Sequence, residues 1–141
     1  MGKKILDKIK TTSLKVIKLK EGNIMKALNK NELKKWTFGE AYFSKIKFGK
    51  IKAWKYHKKM NLQLIVPKGM VKFVFYSKED NKFKVIKIGE KKYSRITVPP
   101  KIWFGFKGVS LKESIILSIA SIAHSKKEIL RRKKSEIKYK W

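Results

Sequence analysis

Short apolar segments recur along this chain at intervals of roughly 8 to 12 residues, with glycine or proline turns between them. The turn Pro67-Lys68-Gly69, for example, separates two runs rich in β-branched and aromatic residues, at 62–66 and 70–76. Residues 82–88 alternate charged and apolar side chains, which is typical of a strand with one buried face. We expect strands at 14–19, 38–46, 51–56, 62–66, 70–76, 82–88, 94–98, 102–106 and 113–121. This spacing predicts an all-β fold, either a β-sandwich or a barrel.

The length and composition predict one domain over residues 1–141. A chain of 141 residues buries roughly two thirds of its unfolded surface, which is enough for a core without covalent staples. It has no cysteine and two histidines, His57 and His124, so neither a disulfide nor a three-histidine metal site can form within one chain. We expect no metal and no cofactor. The polar tail at 125–141 is expected to be irregular, with a helical turn near 127–132.

The apolar segments are too short to predict a membrane span. The longest, at 115–123, contains two serines and falls well below the roughly 20 residues that a spanning helix needs. Near the N-terminus, Asp7, Lys8 and Lys10 interrupt the apolar run that a signal peptide requires. We therefore expect a cytoplasmic protein.

The formal net charge is +28, which suggests a polyanionic partner such as nucleic acid. The lysines, however, are spread along the whole chain instead of forming one stripe. Arginine, whose planar fork suits phosphate and base recognition, occurs only three times. Solvated lysine-rich faces explain the charge more simply, so a nucleic-acid partner is unlikely; a membrane surface or another polyanion is a further alternative.

The segment 54–60 concentrates aromatic and basic side chains, and it is the strongest candidate for an anionic ligand site. Strand alternation places Trp54 and Tyr56 on one face and Lys55 and His57 on the other. A lysine and a histidine two residues apart can bind a phosphate, and the histidine can also transfer a proton. In the alternative arrangement, Lys55 and His57 face water while Trp54 and Tyr56 fill the core.

Three further signals have two interpretations each. Asn61 and Gln63 either orient a ligand inside a barrel or belong to a solvated face. Trp103 and Phe104, after a rigid Pro-Pro turn, form either a stacking wall for a sugar or base or a plain aromatic core. His124, at the end of an apolar strand, is either a ligand contact or a structural residue.

At these residues the sequence resembles the cupin-type sugar epimerases related to dTDP-4-dehydrorhamnose 3,5-epimerase. It is most similar to a branch with an Ala-Trp-Lys-x-His-x-x-Met core, which corresponds here to residues 53–60. Five blocks match in order, and together they extend the resemblance from about Lys15 to the last residue. The blocks lie at 38–44, 51–62, 66–76, 97–100 with 103–108, and 135–141.

The resemblance implies a cupin jelly-roll β-sandwich, a homodimer, and action on nucleotide-linked 4-keto-6-deoxyhexoses in cell-surface polysaccharide biosynthesis. It also implies catalysis without a metal or organic cofactor. In the family, a His–Asp pair removes the proton next to the ketone and a tyrosine returns a proton on the opposite side. The enolate formed between these steps requires a cationic neighbour.

The sequence departs from this pattern at all three proton-transfer positions. Alignment through 52–54 places Lys55 where the family has its histidine, 133–135 lacks the expected aspartate, and 118–123 lacks the expected tyrosine. We therefore assign the catalytic role to Lys55 and His57. The expected substrate-binding residues are Trp54, Asn61, Lys72, Trp103, Phe104 and His124.

These features support three hypotheses. The first is an epimerase or isomerase of nucleotide-linked 4-keto-6-deoxyhexoses. The second is a relative that binds the sugar nucleotide but has lost the chemistry. The third, which we rank below the other two, is a nucleic-acid-binding β-barrel.

Overall fold

A computed structural model describes residues 4–33 and 36–141 of the chain, and antiparallel β-sheet dominates it. The strands are β1 (Lys10–Ser13), β2 (Val16–Ile17), β3 (Ile24–Met25), β4 (Glu40–Ile46), β5 (Ile51–His57), β6 (Leu62–Lys68), β7 (Met70–Ser77), β8 (Lys82–Gly89), β9 (Ser94–Val98), β10 (Trp103–Gly108), β11 (Ser114–Ala120) and β12 (Ile129–Arg131). Three single-turn helices accompany them: 3-10 turns at Ile5–Lys8 and Lys134–Glu136 and an α-helical turn, α1, at Lys30–Leu33.

Ten of these strands form two five-stranded sheets that pack face to face. The first sheet has the order β1-β9-β6-β11-β4, and the second has the order β12-β5-β10-β7-β8. Alternate residues of both sheets point between them, as Leu62 and Leu64 do from the first sheet and Phe73 and Phe75 from the second. The result is the jelly-roll β-sandwich that the sequence predicts.

The predicted strands from residue 38 to residue 121 are confirmed, with ends that shift by at most two residues. The predicted helical turn at 127–132 is wrong. Ile129, Leu130 and Arg131 instead form β12, which pairs antiparallel with β5. The open edge of β5 offers unpaired backbone groups at this point, and satisfying them outweighs the weak local helical preference of a lysine-rich segment.

The outer face of the second sheet is covered by the end of the chain. Trp54, Trp103 and Val74 are buried there, and three C-terminal side chains pack over them: Ile137, Tyr139 and Trp141. The Trp54 indole N–H donates to the carbonyl oxygen of Lys134 at 3.2 Å. Apolar side chains alternate with lysines in this C-terminal arm, so one side of the arm faces the sheet and the other faces water.

The outer face of the first sheet carries a buried polar network. Arg95 is 4% exposed; its guanidinium donates to the Gln63 side-chain oxygen at 3.0 Å and to the Glu32 carboxylate at 2.7 Å. Thr97 donates to the same Gln63 oxygen at 2.7 Å. Gln63 is therefore neither a pocket residue nor a solvated one. By accepting a hydrogen bond from Arg95, it helps to hold α1 and the segment before it against the sheet.

The pairing of β5 with β10 is unusually tight at one position. Gly105 lies opposite Ala53, and a β-carbon built on Gly105 would lie 2.6 Å from the Ala53 β-carbon. The register of this pair shifts between Phe104 and Gly105. A glycine is required at position 105 because any larger residue would force the two strands apart.

No helix within residues 4–33 and 36–141 has the length and hydrophobicity needed to cross a membrane.

Candidate active site between the two sheets

The two faces of β5 point to different surroundings. Lys55 and His57 face the space between the sheets, whereas Trp54 and Tyr56 face the outer cluster under the C-terminal arm. His57 is 5% exposed, and its ring stacks on Phe104, a residue of the inner core, with 5.8 Å between ring centroids. The sequence-based alternation is therefore correct, but the water-facing alternative for Lys55 and His57 is wrong.

Two connected cavities surround Lys55. One lies between the sheets and has a volume of about 90 Å³. The other is a mouth of about 300 Å³ at the edge of the second sheet. Both are lined by the same four residues: Lys52, Lys55, Phe104 and Phe106. A ligand can therefore extend from the mouth inward along Lys55, with aromatic rings on one side and ammonium groups on the other.

The wall opposite Lys55 carries hydroxyl groups. Tyr42 and Ser44 lie two residues apart on β4, and Ser118 of β11 is the register partner of Tyr42. All three line the inner cavity, while the remaining wall is aliphatic and aromatic. Hydroxyls in an otherwise apolar cavity can orient a polyhydroxylated ligand, and a phenol can also donate a proton.

The mouth of the cavity is strongly cationic. Arg131 of β12 is the register partner of Lys55, and it lines the mouth together with Lys52 and Arg132. The Lys52 ammonium donates to the carbonyl oxygen of Lys45 at 2.9 Å, which fixes its position. Cationic side chains gathered at one opening favour a ligand that carries phosphate.

Burial controls the protonation of His57. It lowers the pKa of the imidazole from about 6.5 to about 4, and the positive charges of Lys55, His124 and Arg131 act in the same direction. The Glu128 carboxylate opposes this shift without cancelling it. At neutral pH His57 is therefore uncharged, which is the protonation state that a general base requires.

Burial also lowers the pKa of the Lys55 ammonium, and the neighbouring charges of Arg131 and Lys52 lower it further. Within the described residues, none of these three cationic side chains forms a salt bridge with a carboxylate. An anion that enters the cavity would relieve this repulsion. The site is thus electrostatically prepared for a negatively charged ligand or intermediate.

Glu128 is a buried carboxylate near the end of β5. It is 8% exposed, and one of its oxygens accepts the backbone N–H groups of Lys59 at 2.6 Å and Met60 at 2.7 Å. These bonds fix the turn that follows His57. The His57 Nδ1 atom is buried and has no hydrogen-bond partner among the described residues, so Glu128 supports the backbone and does not pair with the imidazole.

Several residues expected to bind substrate lie away from the inner cavity. Trp103 packs in the outer cluster, and Lys72 lies over the Tyr139 ring with 5.0 Å from its ammonium to the centroid. The Trp54 side chain is also in that cluster, although its backbone borders the mouth. Among the expected substrate-binding residues, only Phe104 lines both cavities.

The other two expected contacts lie near the ends of strands. The Asn61 backbone is bonded to Ser121: its carbonyl oxygen accepts the Ser121 N–H, and its own N–H donates to the Ser121 hydroxyl at 2.9 Å. His124 is exposed, and its backbone N–H donates to Glu40 at 3.0 Å. His124 lies close enough to His57 to influence its pKa, but it does not line either cavity.

Sequence reasoning missed Tyr42, Ser44, Ser118, Lys52 and Arg131. A tyrosine was expected on the strand at 118–123, whereas the structure provides Tyr42 from the neighbouring strand β4, opposite Ser118. The alternation of Tyr42 with Ser44 on one strand face was the available signal. Arg131 had no such signal, because its position depends on β12 pairing with β5.

Within the part of the chain that the structure describes, no three His, Asp or Glu side chains gather closely enough to hold a metal ion.

The fold and the site together define an all-β jelly roll of the cupin type, with half-buried Lys55 lining the cavity between its sheets and buried His57 packed on Phe104, which lines the same cavity. Solved structures of nucleotide-sugar enzymes share this fold. A dTDP sugar isomerase from Desulfovibrio desulfuricans has a TM-score of 0.89 and 24% sequence identity, over 96% of this chain and 91% of that one. These values establish a common fold.

Two further structures with bound ligands are similar. A 3,5-epimerase from Legionella pneumophila in complex with dTDP-4-keto-L-rhamnose has a TM-score of 0.83 and 12% identity, over 96% of this chain and 79% of that one. A sugar 3,4-ketoisomerase from Thermoanaerobacterium thermosaccharolyticum in complex with TDP has a TM-score of 0.75 and 18% identity, over 92% of this chain and 91% of that one. No family model and no curated protein matches the sequence.

Proposed function

We propose that this protein is an epimerase or isomerase of a nucleotide-linked 4-keto-6-deoxyhexose. The observation that carries the proposal is the inner face of β5, where half-buried Lys55 lines the cavity and His57 is buried two residues along, in a fold shared with dTDP-sugar isomerases and epimerases. The sugar would lie in the inner cavity against Phe104. The diphosphate would lie in the cationic mouth near Lys52 and Arg131.

The reaction would begin with removal of a proton from a carbon next to the 4-keto group. Uncharged His57 takes this proton, and the electron pair of the C–H bond forms a C=C bond while the ketone oxygen becomes an enolate. Lys55 stabilises the enolate, because the new negative charge relieves its repulsion with Lys52 and Arg131. The interaction is stronger in the transition state than in the ground state, which is the condition for catalysis.

Return of a proton to carbon completes the reaction. Tyr42 lies across the inner cavity from β5, so its phenol would deliver a proton to the face of the enolate opposite His57. Delivery to the opposite face inverts the carbon and gives an epimer. A keto isomer would form instead if the C3 hydroxyl proton passed to the enolate oxygen at C4 and His57 returned its proton to C4 on the same face, which leaves the ketone at C3.

The test is deuterium incorporation from deuterium oxide into dTDP-4-keto-6-deoxyglucose and its NDP analogues, followed by NMR and mass spectrometry. We expect exchange at C3 or C5 and its loss in His57→Gln. A wild-type protein that exchanges no deuterium with any of these substrates would refute the enzymatic proposal.

A second candidate is a relative that binds the sugar nucleotide without turning it over. One observation favours it: the His57 Nδ1 atom lacks the carboxylate partner that would orient the imidazole and stabilise its charged form. This candidate predicts thermal stabilisation by dTDP-sugars without deuterium exchange. The same experiment therefore separates the two candidates.

The wider setting is proposed with the function. The chemistry would serve cell-surface polysaccharide synthesis in the cytoplasm, and the protein would act as a homodimer. The exposed aromatic residues Phe38 and Phe43, 65% and 69% exposed beside or on the edge strand β4, support a self-association surface there. Sedimentation at several protein concentrations tests the homodimer.

A further inference from the structure

A further cavity lies outside the space between the two sheets. It is a groove of about 690 Å³ between the N-terminal 3-10 turn, the β7–β8 hairpin, the loop before β10 and the residue after β12. Strand β5 separates it from the candidate active site: Tyr56 faces the groove, while Lys55 and His57 face inward. Arg132 lines both the groove and the cationic mouth, whereas the groove shares no lining residue with the inner cavity.

Cationic side chains surround this outer groove. Five of them line it from four different parts of the chain: Lys4, Lys8, Lys78, Lys101 and Arg132. Two carboxylates, Glu79 and Asp80, also line it, and Asp80 already accepts a hydrogen bond from the Ser77 hydroxyl at 3.2 Å. Cations outnumber carboxylates, so the groove favours an anion, and Glu79 remains able to accept hydrogen bonds from ligand hydroxyls.

An aromatic pair forms the floor of the groove. Tyr56 and Trp103 lie with ring centroids 5.1 Å apart, and the Arg132 guanidinium covers the Trp103 ring at 5.4 Å. Trp103 is 8% exposed, whereas Tyr56 is half-buried and presents part of its ring to the groove. A flat ring can therefore stack beside Tyr56 while phosphate oxygens reach the surrounding lysines.

Lys101 is held in position by the backbone. It adopts a positive φ of 68°, and its N–H donates to the carbonyl oxygen of His57 at 2.7 Å. A non-glycine residue in this conformation needs support from its surroundings, which this short bond supplies. The side chain of Lys101 is thereby presented at the groove on the outer side of the strand that carries His57.

We infer that the outer groove binds a nucleotide, with its base beside Tyr56 and its phosphate among the lysines. This site has no lining residue in common with the inner cavity, and the inference does not depend on the proposed reaction. The same chemistry is offered by a free nucleotide and by a terminal nucleotide of single-stranded nucleic acid. These two sources are distinguished by the test.

The probe is adenosine monophosphate, titrated by calorimetry at fixed salt and compared with adenosine and with ribose 5-phosphate. We expect adenosine monophosphate to bind at least about tenfold more tightly than either fragment, because base stacking and phosphate pairing both contribute. A Tyr56→Leu variant should remove the advantage over ribose 5-phosphate, and Tyr56→Phe should keep it. If Tyr56→Leu still bound adenosine monophosphate more tightly than ribose 5-phosphate by the wild-type factor, the base would not stack beside Tyr56 and the inference would be overturned.

Charge-matched variants separate a site from general attraction to a +28 chain. The groove variant carries Lys78→Glu and Lys101→Glu; the control carries Lys18→Glu and Lys112→Glu, two exposed lysines outside the groove. Both variants change the net charge equally. We expect at least about a tenfold loss of affinity for the groove variant and less than about a twofold loss for the control. Equal losses would refute the site.

Two further arms complete the test. In a Lys55→Met variant, unchanged binding of adenosine monophosphate supports the outer groove, whereas lost binding would place the nucleotide in the barrel and overturn the inference. A single-stranded adenylate hexamer that binds no more tightly than the mononucleotide identifies a free nucleotide as the ligand. Tighter hexamer binding that the groove variant abolishes identifies nucleic acid at the same site. Deuterium exchange is measured separately, so failure of one proposal leaves the other standing.

Discussion

Both faces of strand β5 are covered by other parts of the chain, but they serve different purposes. The outer face carries Trp54, which is 1% exposed, and the C-terminal arm packs over it. The inner face carries Lys55 and His57, whose burial lowers the pKa of both groups. On the outer face burial stabilises the fold, whereas on the inner face it favours the uncharged forms of Lys55 and His57. The comparison teaches that stability and chemistry are divided between alternate residues of one strand.

The largest expected effect concerns the inner face. His57→Gln should reduce the rate of deuterium exchange by a factor of about 10² to 10⁴, because it removes the general base but replaces it with a side chain of similar size. Mass spectrometry of the recovered dTDP-sugar measures the rate. Tyr76→Phe, which changes the outer cluster only, should remain within about twofold of the wild type. Equal rates for His57→Gln and the wild type would remove His57 from the mechanism.

The outer face should dominate stability. Trp54→Ala is expected to lower the free energy of unfolding by about 3–5 kcal/mol, since it empties a buried indole site and deletes the hydrogen bond to Lys134. Urea denaturation followed by circular dichroism measures the change. The control is Phe43→Ala, which removes an aromatic ring that is 69% exposed and should cost less than about 1 kcal/mol. Similar losses in the two variants would contradict the packing of the outer cluster.

The pH dependence of stability should report the inner face. His57 has a folded-state pKa of about 4, below its ordinary value of 6.5, so between these values the unfolded chain binds more protons. Stability from this group is therefore complete above pH 6.5 and declines as the pH falls towards 4, by about 3 kcal/mol. Urea midpoints at several pH values measure the decline.

Two variants separate His57 from the other titrating groups in that experiment. His57→Gln should flatten the curve between pH 6.5 and 4. His124→Gln should keep most of the wild-type slope, because burial, the main cause of the low His57 pKa, is unchanged and only one of the smaller charge effects is removed. A slope that both variants leave unchanged would show that His57 does not carry the proton linkage.

The smallest effect should come from Lys55. Replacing it with methionine removes a charge that burial disfavours, so we expect a gain of about 1 kcal/mol in the free energy of unfolding. Lys87→Met, at an exposed position of β8, should change it by less than about 0.5 kcal/mol. Loss of stability in Lys55→Met would mean that the ammonium contributes to the fold through contacts not yet assigned.

Most of the fold could be predicted because strand signals are local. The alternation at 82–88 depends on a few adjacent residues and is present in β8. The turn predicted at Pro67-Lys68-Gly69 is present only as a bend at Gly69, because Pro67 and Lys68 belong to β6. The helical turn predicted at 127–132 failed because its true structure depends on a distant partner. Arg131 lies opposite Lys55 only after the sandwich has closed.

The candidate site was harder to predict than the strands that form it. Alternation divided Trp54 and Tyr56 from Lys55 and His57, but it left open which face was inside. Both faces of β5 are covered, one by the first sheet and one by the C-terminal arm, so hydrophobicity could not decide. For the same reason Trp103 was expected in the pocket, although it belongs to the outer cluster.

The contact between Gly105 and Ala53 has an evolutionary consequence. Because β5 and β10 meet there with no room for another carbon atom, the two positions are under one constraint instead of two. A β-carbon at 105 would also lie 3.0 Å from the Lys52 carbonyl oxygen and 3.1 Å from the Ala53 α-carbon, so glycine at 53 would not make room for it. Related sequences should therefore keep glycine at 105 and a small residue at 53, because a larger residue at either position would displace the strand that carries Lys55 and His57.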